Sequence, residues 1–281
     1  MKLFYILLIL IFFPFSSYSQ ISLNKLSTGL SNLWGISVLN DKEILLTQRK
    51  GNVFKLNIFN KNIKKIKGVP KVVNFGQGGL LDIAVENINK NKKVYLCLSD
   101  KVNTTKSATA FHSYDLKNNI LLNKKLLFKS NKPSNSSRHF GCRLAIKGKF
   151  IFATIGDRGN RHDAQNFANH SGSVIKIKKN GSNYNNNAFE NALPEIYSIG
   201  HRNPQGLLFD NNTNQLWLHE HGPQGGDEVN IIYKGKNYGW PKITYGKEYG
   251  SGKKIGMGVS KNGFENPVKV WIPSMAPSGM I

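Results

Sequence analysis

The stretch Ile36–Leu56, ISVLNDKEILLTQRKGNVFKL, decides the fold class. It holds three brief apolar-alternating runs, Ile36–Leu39, Glu43–Gln48 and Asn52–Leu56. Asn40-Asp41 and Lys50-Gly51 separate them as turn signals, so the stretch reads as an antiparallel meander. The same phrase recurs along the chain. Leu80–Val85 leads to Lys93–Ser99 and Ala110–Asp115; Arg143–Ile146 leads to Phe150–Gly156 and Val174–Lys178; Gly206–Phe209 leads to Gln215–His219 and Glu228–Tyr233. The phrases begin roughly 45 to 65 residues apart, near the period of propeller blades. No segment carries a convincing amphipathic helix, which removes doubly wound α/β and helical solenoid architectures and leaves an all-β fold. A β-propeller and a large sandwich both satisfy the strand pattern. Loop-rich insertions such as Asp157–Gly172 favour the propeller, where such loops gather at one face around the axis.

Composition agrees with a packed domain. The chain has 281 residues, 40% of them hydrophobic and 20% charged, with 27 glycines and 10 prolines spread along it. That excludes disordered, collagen-like and coiled-coil readings. The net charge of +23 suits an anionic partner. Its lysines, however, lie scattered among asparagines on what read as solvated loops, whereas a nucleic-acid footprint is clustered, so no nucleic-acid partner is expected. At the amino terminus Lys2 precedes the apolar run Leu3–Phe15 and then Ser16–Gln20, the pattern of a secretory leader cleaved near Ser19-Gln20. The leader is too short to span a bilayer comfortably, so residues 1–19 are expected to be a signal peptide. Residues 20–281 would then form a periplasmic or secreted domain with no stable membrane insertion. Cys97 and Cys142 leave two readings open, one disulfide or two buried thiols.

Polar, glycine-rich segments sit at the strand edges: FGQGGLLD at 75–82, SRHFGCRL at 137–144, IGDRGNRHDAQN at 155–166, GHRNPQG at 200–206, EHGPQGGDE at 220–228 and KGKNYGWP at 234–241. His139 with Asp157 has the chemistry of a general base and its orienter, and Arg202-Asn203 before a proline that of an anion clamp. The run from Gly222 to Glu228 offers carbonyl and carboxylate oxygens to a hard cation, without EF-hand spacing. GQGGLL opens no helix, so no dinucleotide fingerprint competes.

Taken in order, GQGGLLD, HFGCRL, GHRNPQGL, EHGPQGGDE and KGKNYGWP resemble the soluble quinoprotein glucose/sorbosone dehydrogenase family, most closely its aldose sugar dehydrogenase branch, from about Leu33 to Ile281. The resemblance implies a six-bladed β-propeller that binds pyrroloquinoline quinone (PQQ) and calcium (Ca2+) at one face. Its reaction is oxidation of an aldose at the anomeric carbon to the lactone, with electrons passed on to an unidentified acceptor. It also implies roles: His139 as general base, Asp157 as its support, and Arg202 beside the quinone carbonyls. Gln77, Asn203 and Tyr249 are implied as further cofactor contacts, the Gly222 and Pro223 carbonyls as ligands of the quinone-bridging calcium, and Glu228 and Tyr238 as ligands of a second, structural calcium. Family members continue past the motif WIPSMAPSGMI, in which Ile281 lies, through blades that close the ring and add a lysine and arginines for the quinone carboxylates. The last blades are therefore expected to be missing from this chain. A non-catalytic exported propeller that binds a partner or glycan at the same face is the alternative reading.

Overall fold

A computed structural model describes residues 22–26, 29–88, 91–182 and 184–281. The expected leader and its cleavage point lie outside the described residues. The described chain is all-β apart from one 3-10 turn, Arg161–Gln165. It forms four sheets arranged as propeller blades. The first blade is β1 (Leu33–Asn40), β2 (Glu43–Gln48), β3 (Asn52–Asn57) and β4 (Ile63–Ile66), in that spatial order. The second is β5 (Leu80–Ile88), β6 (Asn91–Lys101), β7 (Ser107–Lys117) and β8 (Ile120–Lys129). The third is β9 (Gly141–Lys147), β10 (Phe150–Ile155), β11 (Ser173–Lys178) and β12 (Ile196–Ile199). The fourth begins with β13 (Pro204–Asp210), β14 (Gln215–Glu220) and β15 (Asp227–Ile232). The short β16 (Lys236–Asn237) then pairs in parallel with β12, and β17 (Lys269–Trp271) returns to close the fourth blade against β15.

The strand period of two divides each central blade between its two neighbours. In β6, Val94, Leu96 and Leu98 join the core shared with the first blade, while Tyr95 and Cys97 join the core shared with the third. Burial on both faces is why β6 reads as the unbroken apolar run VYLCL rather than as an alternation. In β10, Ile151, Ala153 and Ile155 pack toward the second blade and Phe152 toward Leu207, Leu216 and Leu218 of the fourth. The first strands β1, β5, β9 and β13 pack side by side, setting the blades in an arc. At the start of that arc Ile36 and Val38 are 62% and 67% exposed, and Ile272 and Met275 beyond β17 are 66% and 68% exposed. These four apolar side chains at the two ends of the described arc are thus uncovered.

Cys97 on β6 and Cys142 on β9 form a disulfide with their Cα atoms 5.7 Å apart, which ties the second blade to the third. Of the two readings the sequence left open, the structure has the bonded one. Antiparallel pairing puts the start of each blade's first strand beside the end of its second, as Gly141 opposes Ile155 and Pro204 opposes Glu220. The connections that carry His139, Asp157, Arg202 and Gly222 therefore emerge at one edge.

Candidate active site

His139 lies just before β9 with φ of 50°, a left-handed conformation that side chains other than glycine rarely adopt. Its backbone N–H donates to Gln77 Oε1 at 2.7 Å, and Gln77's own N–H donates to Ser137 O at 2.8 Å. The FGQGG loop thus fixes the strained residue. Two positions past β10, Asp157 Oδ1 meets His139 Nδ1 at 2.6 Å and accepts the Gly159 N–H at 2.7 Å. Its Oδ2 accepts Trp240 Nε1–H at 2.8 Å. Burial works to raise the Asp157 pKa, but the bonds from His139, Gly159 and Trp240 outweigh it and hold the carboxyl below the usual range. An ionised carboxylate only accepts, so the imidazole proton sits on Nδ1. Burial, aided by the charges of Arg202 and Arg138, keeps the His139 pKa below its ordinary value despite Asp157. The ring is therefore neutral at pH 7, with Nε2 unprotonated and without a hydrogen-bond partner among the described residues.

Arg202 precedes β13. Its backbone N–H donates to Glu220 Oε2 at 2.5 Å, and its Nη1 donates to His221 O at 2.9 Å and Gly222 O at 2.7 Å. The same Glu220 accepts from His201 Nδ1 at 2.8 Å, and His201 stacks on the Tyr238 ring with centroids 4.8 Å apart. Burial lowers the Arg202 pKa from its usual value, with Asp157 opposing the shift. The Trp240 ring lies against both Arg202 and Arg161, with 5.4 Å and 5.6 Å from guanidinium carbon to centroid. Arg161 is itself clamped by Glu248 through two bonds of 2.5 Å and 3.1 Å.

His139, Asp157, Arg202, Pro223, Trp240 and Tyr249 line one open cleft of about 250 Å³, whose wall also carries Arg138 and Arg161. Tyr249 stands at the rim, 67% exposed. Gln77 does not line it and reaches it only through the His139 backbone. Asn203 is buried, its Oδ1 accepting from Gln205 Nε2 at 3.0 Å, and is likewise not on the cleft wall.

Of the residues expected to hold metal at two sites, Gly222, Glu228 and Tyr238 line one small void beside Arg202, while Pro223 lines the cleft. Gly222 permits a close fold of the EHGPQGGDE loop, since a Cβ there would lie 2.2 Å from Gly226 O. Its N–H donates to Asp227 Oδ1 at 2.9 Å and its carbonyl receives Arg202, whereas Pro223 O accepts no hydrogen bond among the described residues. Glu220, Gly222, Gly226, Glu228 and Tyr238 line a void of about 10 Å³, the size of one water or monatomic ion. Burial, and then the charges of Glu220 and Asp227, push the Glu228 pKa up to about 8. Two carboxylates beside so small a void are donors that a hard cation favours, and the Arg202 guanidinium lines the same void and occupies the Gly222 carbonyl. The cleft, with Arg138, Arg161 and Arg202 against Asp157 and Glu248 and with flat aromatic rings beside them, likewise suits a planar polycarboxylate.

Trp240 was missed by sequence reasoning, although it stands in the quoted KGKNYGWP. Its partner is 83 residues away, and a tryptophan beside proline signals a turn or core before it signals a hydrogen-bond donor.

The glucose/sorbosone dehydrogenase model matches residues 30–281. Aldose sugar dehydrogenase of Escherichia coli is 34% identical over 93% of this chain and 73% of its own length. An uncharacterized protein of Synechocystis is 35% identical over 90% of this chain, and quinoprotein glucose dehydrogenase B of Acinetobacter calcoaceticus 30% identical over 80%. The matched stretches take up 66% and 52% of those two proteins, so the chain spans only part of the length of the relatives it matches. Among solved structures, the apo soluble aldose sugar dehydrogenase of E. coli superposes with a TM-score of 0.83 at 35% identity, covering 88% of this chain and 74% of that one. The PQQ-bound aldose sugar dehydrogenase of Streptomyces coelicolor superposes with a TM-score of 0.75 at 27% identity, covering 92% and 73%. The chain therefore belongs to the glucose/sorbosone dehydrogenase family of oxidoreductases.

Proposed function

We propose that the chain forms the catalytic face of an exported, PQQ- and calcium-dependent dehydrogenase that oxidises aldoses at the anomeric carbon to lactones. The observation that carries this reading is the Trp240–Asp157–His139 relay, which opens the unprotonated His139 Nε2 into an arginine-lined cleft. The PQQ-bound relative and the quinoprotein relative support the cofactor. Arg138, Arg161 and Arg202 would face its carboxylates and carbonyls, and Tyr249 would close on it from the rim. Glu228, Glu220 and the backbone around Tyr238 would hold one calcium; the Gly222 and Pro223 carbonyls would hold another.

When bound, the quinone would supply the hydride acceptor, and a calcium held by the Gly222 and Pro223 carbonyls would supply Lewis-acid polarisation. The rest falls to side chains. His139 Nε2 takes the proton of the anomeric hydroxyl as the C–H bond yields its hydride, and the carbon–oxygen double bond of the lactone forms between them. Asp157 holds the imidazole in the required tautomer and stabilises the imidazolium. Arg202, anchored by two carbonyls and Glu220, keeps a fixed positive charge where negative charge develops.

Further blades, six in all, are part of the proposal. The uncovered side chains of the end blades and the partial coverage of relatives support them. So is export through cleavage near Ser19-Gln20, with the propeller beginning after it. The test is dye-coupled oxidation of an aldose panel, with PQQ and calcium supplied together and each omitted in turn. Turnover that needs both is the expected result. Retention of PQQ without oxidation of any aldose would replace the enzyme with a non-catalytic, ligand-binding propeller.

A further inference from the structure

The loop after β10 has two sides. Asp157, Gly159 and Arg161 face the cleft, while Arg158, Asn160 and Asp163 line a second cavity of about 180 Å³ together with Lys106, Lys132 and Ser134. These groups come from separate connections, the β6–β7 hairpin, the segment after β8 and the β10–β11 loop, so the fold rather than one local run of sequence assembles them.

Arg158 is the unusual member. It is 5% exposed, has φ of 54°, and its guanidinium carbon sits 3.3 Å from the Phe140 ring centroid. Only Nη2 is satisfied by the protein, donating to Ser136 O at 2.7 Å; Nε and Nη1 have no acceptor among the described residues. Burial pulls its pKa down to about 10, so the group is still charged at neutral pH. A buried charge with two unmet donors is costly unless a counter-charge or acceptor meets it. The carboxylate in the cavity is already engaged, Asp163 Oδ1 lying 2.6 Å from Lys132 Nζ, and Asp157 is committed to His139 and Trp240 on the other side. The cavity thus gathers three cations against one carboxylate, with Ser134 and Asn160 as neutral polar neighbours.

We propose that this second cavity is an oxyanion site, which takes a phosphate or sulfate group between Arg158, Lys106 and Lys132. A tetrahedral oxyanion brings several acceptors to the two ammonium groups and a counter-charge to the buried guanidinium, whose Nε and Nη1 are closed off from the cavity and which therefore acts through its charge. Its volume admits such a group and is too small for a large ligand to enter whole. The site is separate from the proposed quinone cleft and shares with it only the loop that holds Asp157, so it does not depend on the dehydrogenase reading.

Isothermal titration of the purified chain with inorganic phosphate, inorganic sulfate and glycerol phosphate tests this, with chloride at matched ionic strength as the control. Saturable one-to-one binding of phosphate or sulfate, weakened at least about tenfold by Arg158→Gln, is expected. A tighter fit for glycerol phosphate than for inorganic phosphate would assign the site to an organic phosphoryl ligand; equal or weaker binding would assign it to the free anion. Heats no different from chloride, or affinity untouched by Arg158→Gln, would overturn the proposal. Should Arg158→Gln fail to fold, the exposed Lys106→Gln and Lys132→Gln decide in its place: wild-type affinity in both would overturn it, and weakened binding would support it.

Discussion

At the scale of the residue, the proposed chemistry would rest on one imidazole whose two nitrogens have different surroundings. Nδ1 is committed to Asp157 and Nε2 faces the cleft, so the ring acts as a base only while it is neutral. Because burial lowers its pKa, the neutral form persists below the ordinary value, and activity is lost only as pH falls through the lowered value. The acid limb of kcat/KM should therefore lie below about pH 6.5, and a limb well above that value would place the essential base elsewhere. Asp157→Asn frees the tautomer, so kcat should fall by roughly 10²–10⁴ with little change in PQQ affinity. Trp240→Phe removes one bond to the carboxylate and should cost about tenfold in kcat, measured by steady-state kinetics beside a PQQ titration. His139 with Asp157 was legible in the sequence because those residue types perform this chemistry together. Trp240 was not, because its role depends on a contact across the fold, and the part Gln77 plays through its Oε1 depends on where the His139 backbone lies.

At the scale of the element, the first three strands of each blade declare themselves by apolar runs and turn residues, and the outer strands do not. β4, of sequence IKKI, shows a single buried position, Ile66, at its end. β8 exposes most of its central residues, and β17 reaches β15 from 37 residues beyond its end. An outer strand has a neighbour on one side only and packs little, so its sequence is weakly constrained. The Cys97–Cys142 bridge, 45 residues apart, joins two blades that also meet by side-chain packing and by the bond from the Leu144 N–H to Asp82 Oδ2. Removing it with Cys97→Ala and Cys142→Ala should lower stability by about 2–4 kcal/mol. Denaturant unfolding of the double variant checks this, and an unchanged midpoint would mean the blades hold without the bridge.

At the scale of the whole molecule, the arc of blades brings connections from across the chain to one edge, which is how residues from Gln77 to Tyr249 contribute to one site. The repeated meander was enough to read the all-β class. The propeller itself was legible only in part, because period and loop placement fit a sandwich almost as well until blade-to-blade burial is seen. If calcium occupies the void beside Glu228, it binds the folded state alone, and saturating calcium should raise Tm by about 5 °C, an effect that a chelator reverses. No shift in a thermal melt would remove the metal from that site. The proposed sugar oxidation depends above all on His139 acting as the base. Its most direct test is aldose turnover by protein reconstituted with PQQ and calcium, wild type beside His139→Ala, with quinone binding followed by absorbance in both. Loss of at least about 10³-fold in kcat is expected, with quinone affinity nearly unchanged. Near-normal turnover in His139→Ala would contradict it.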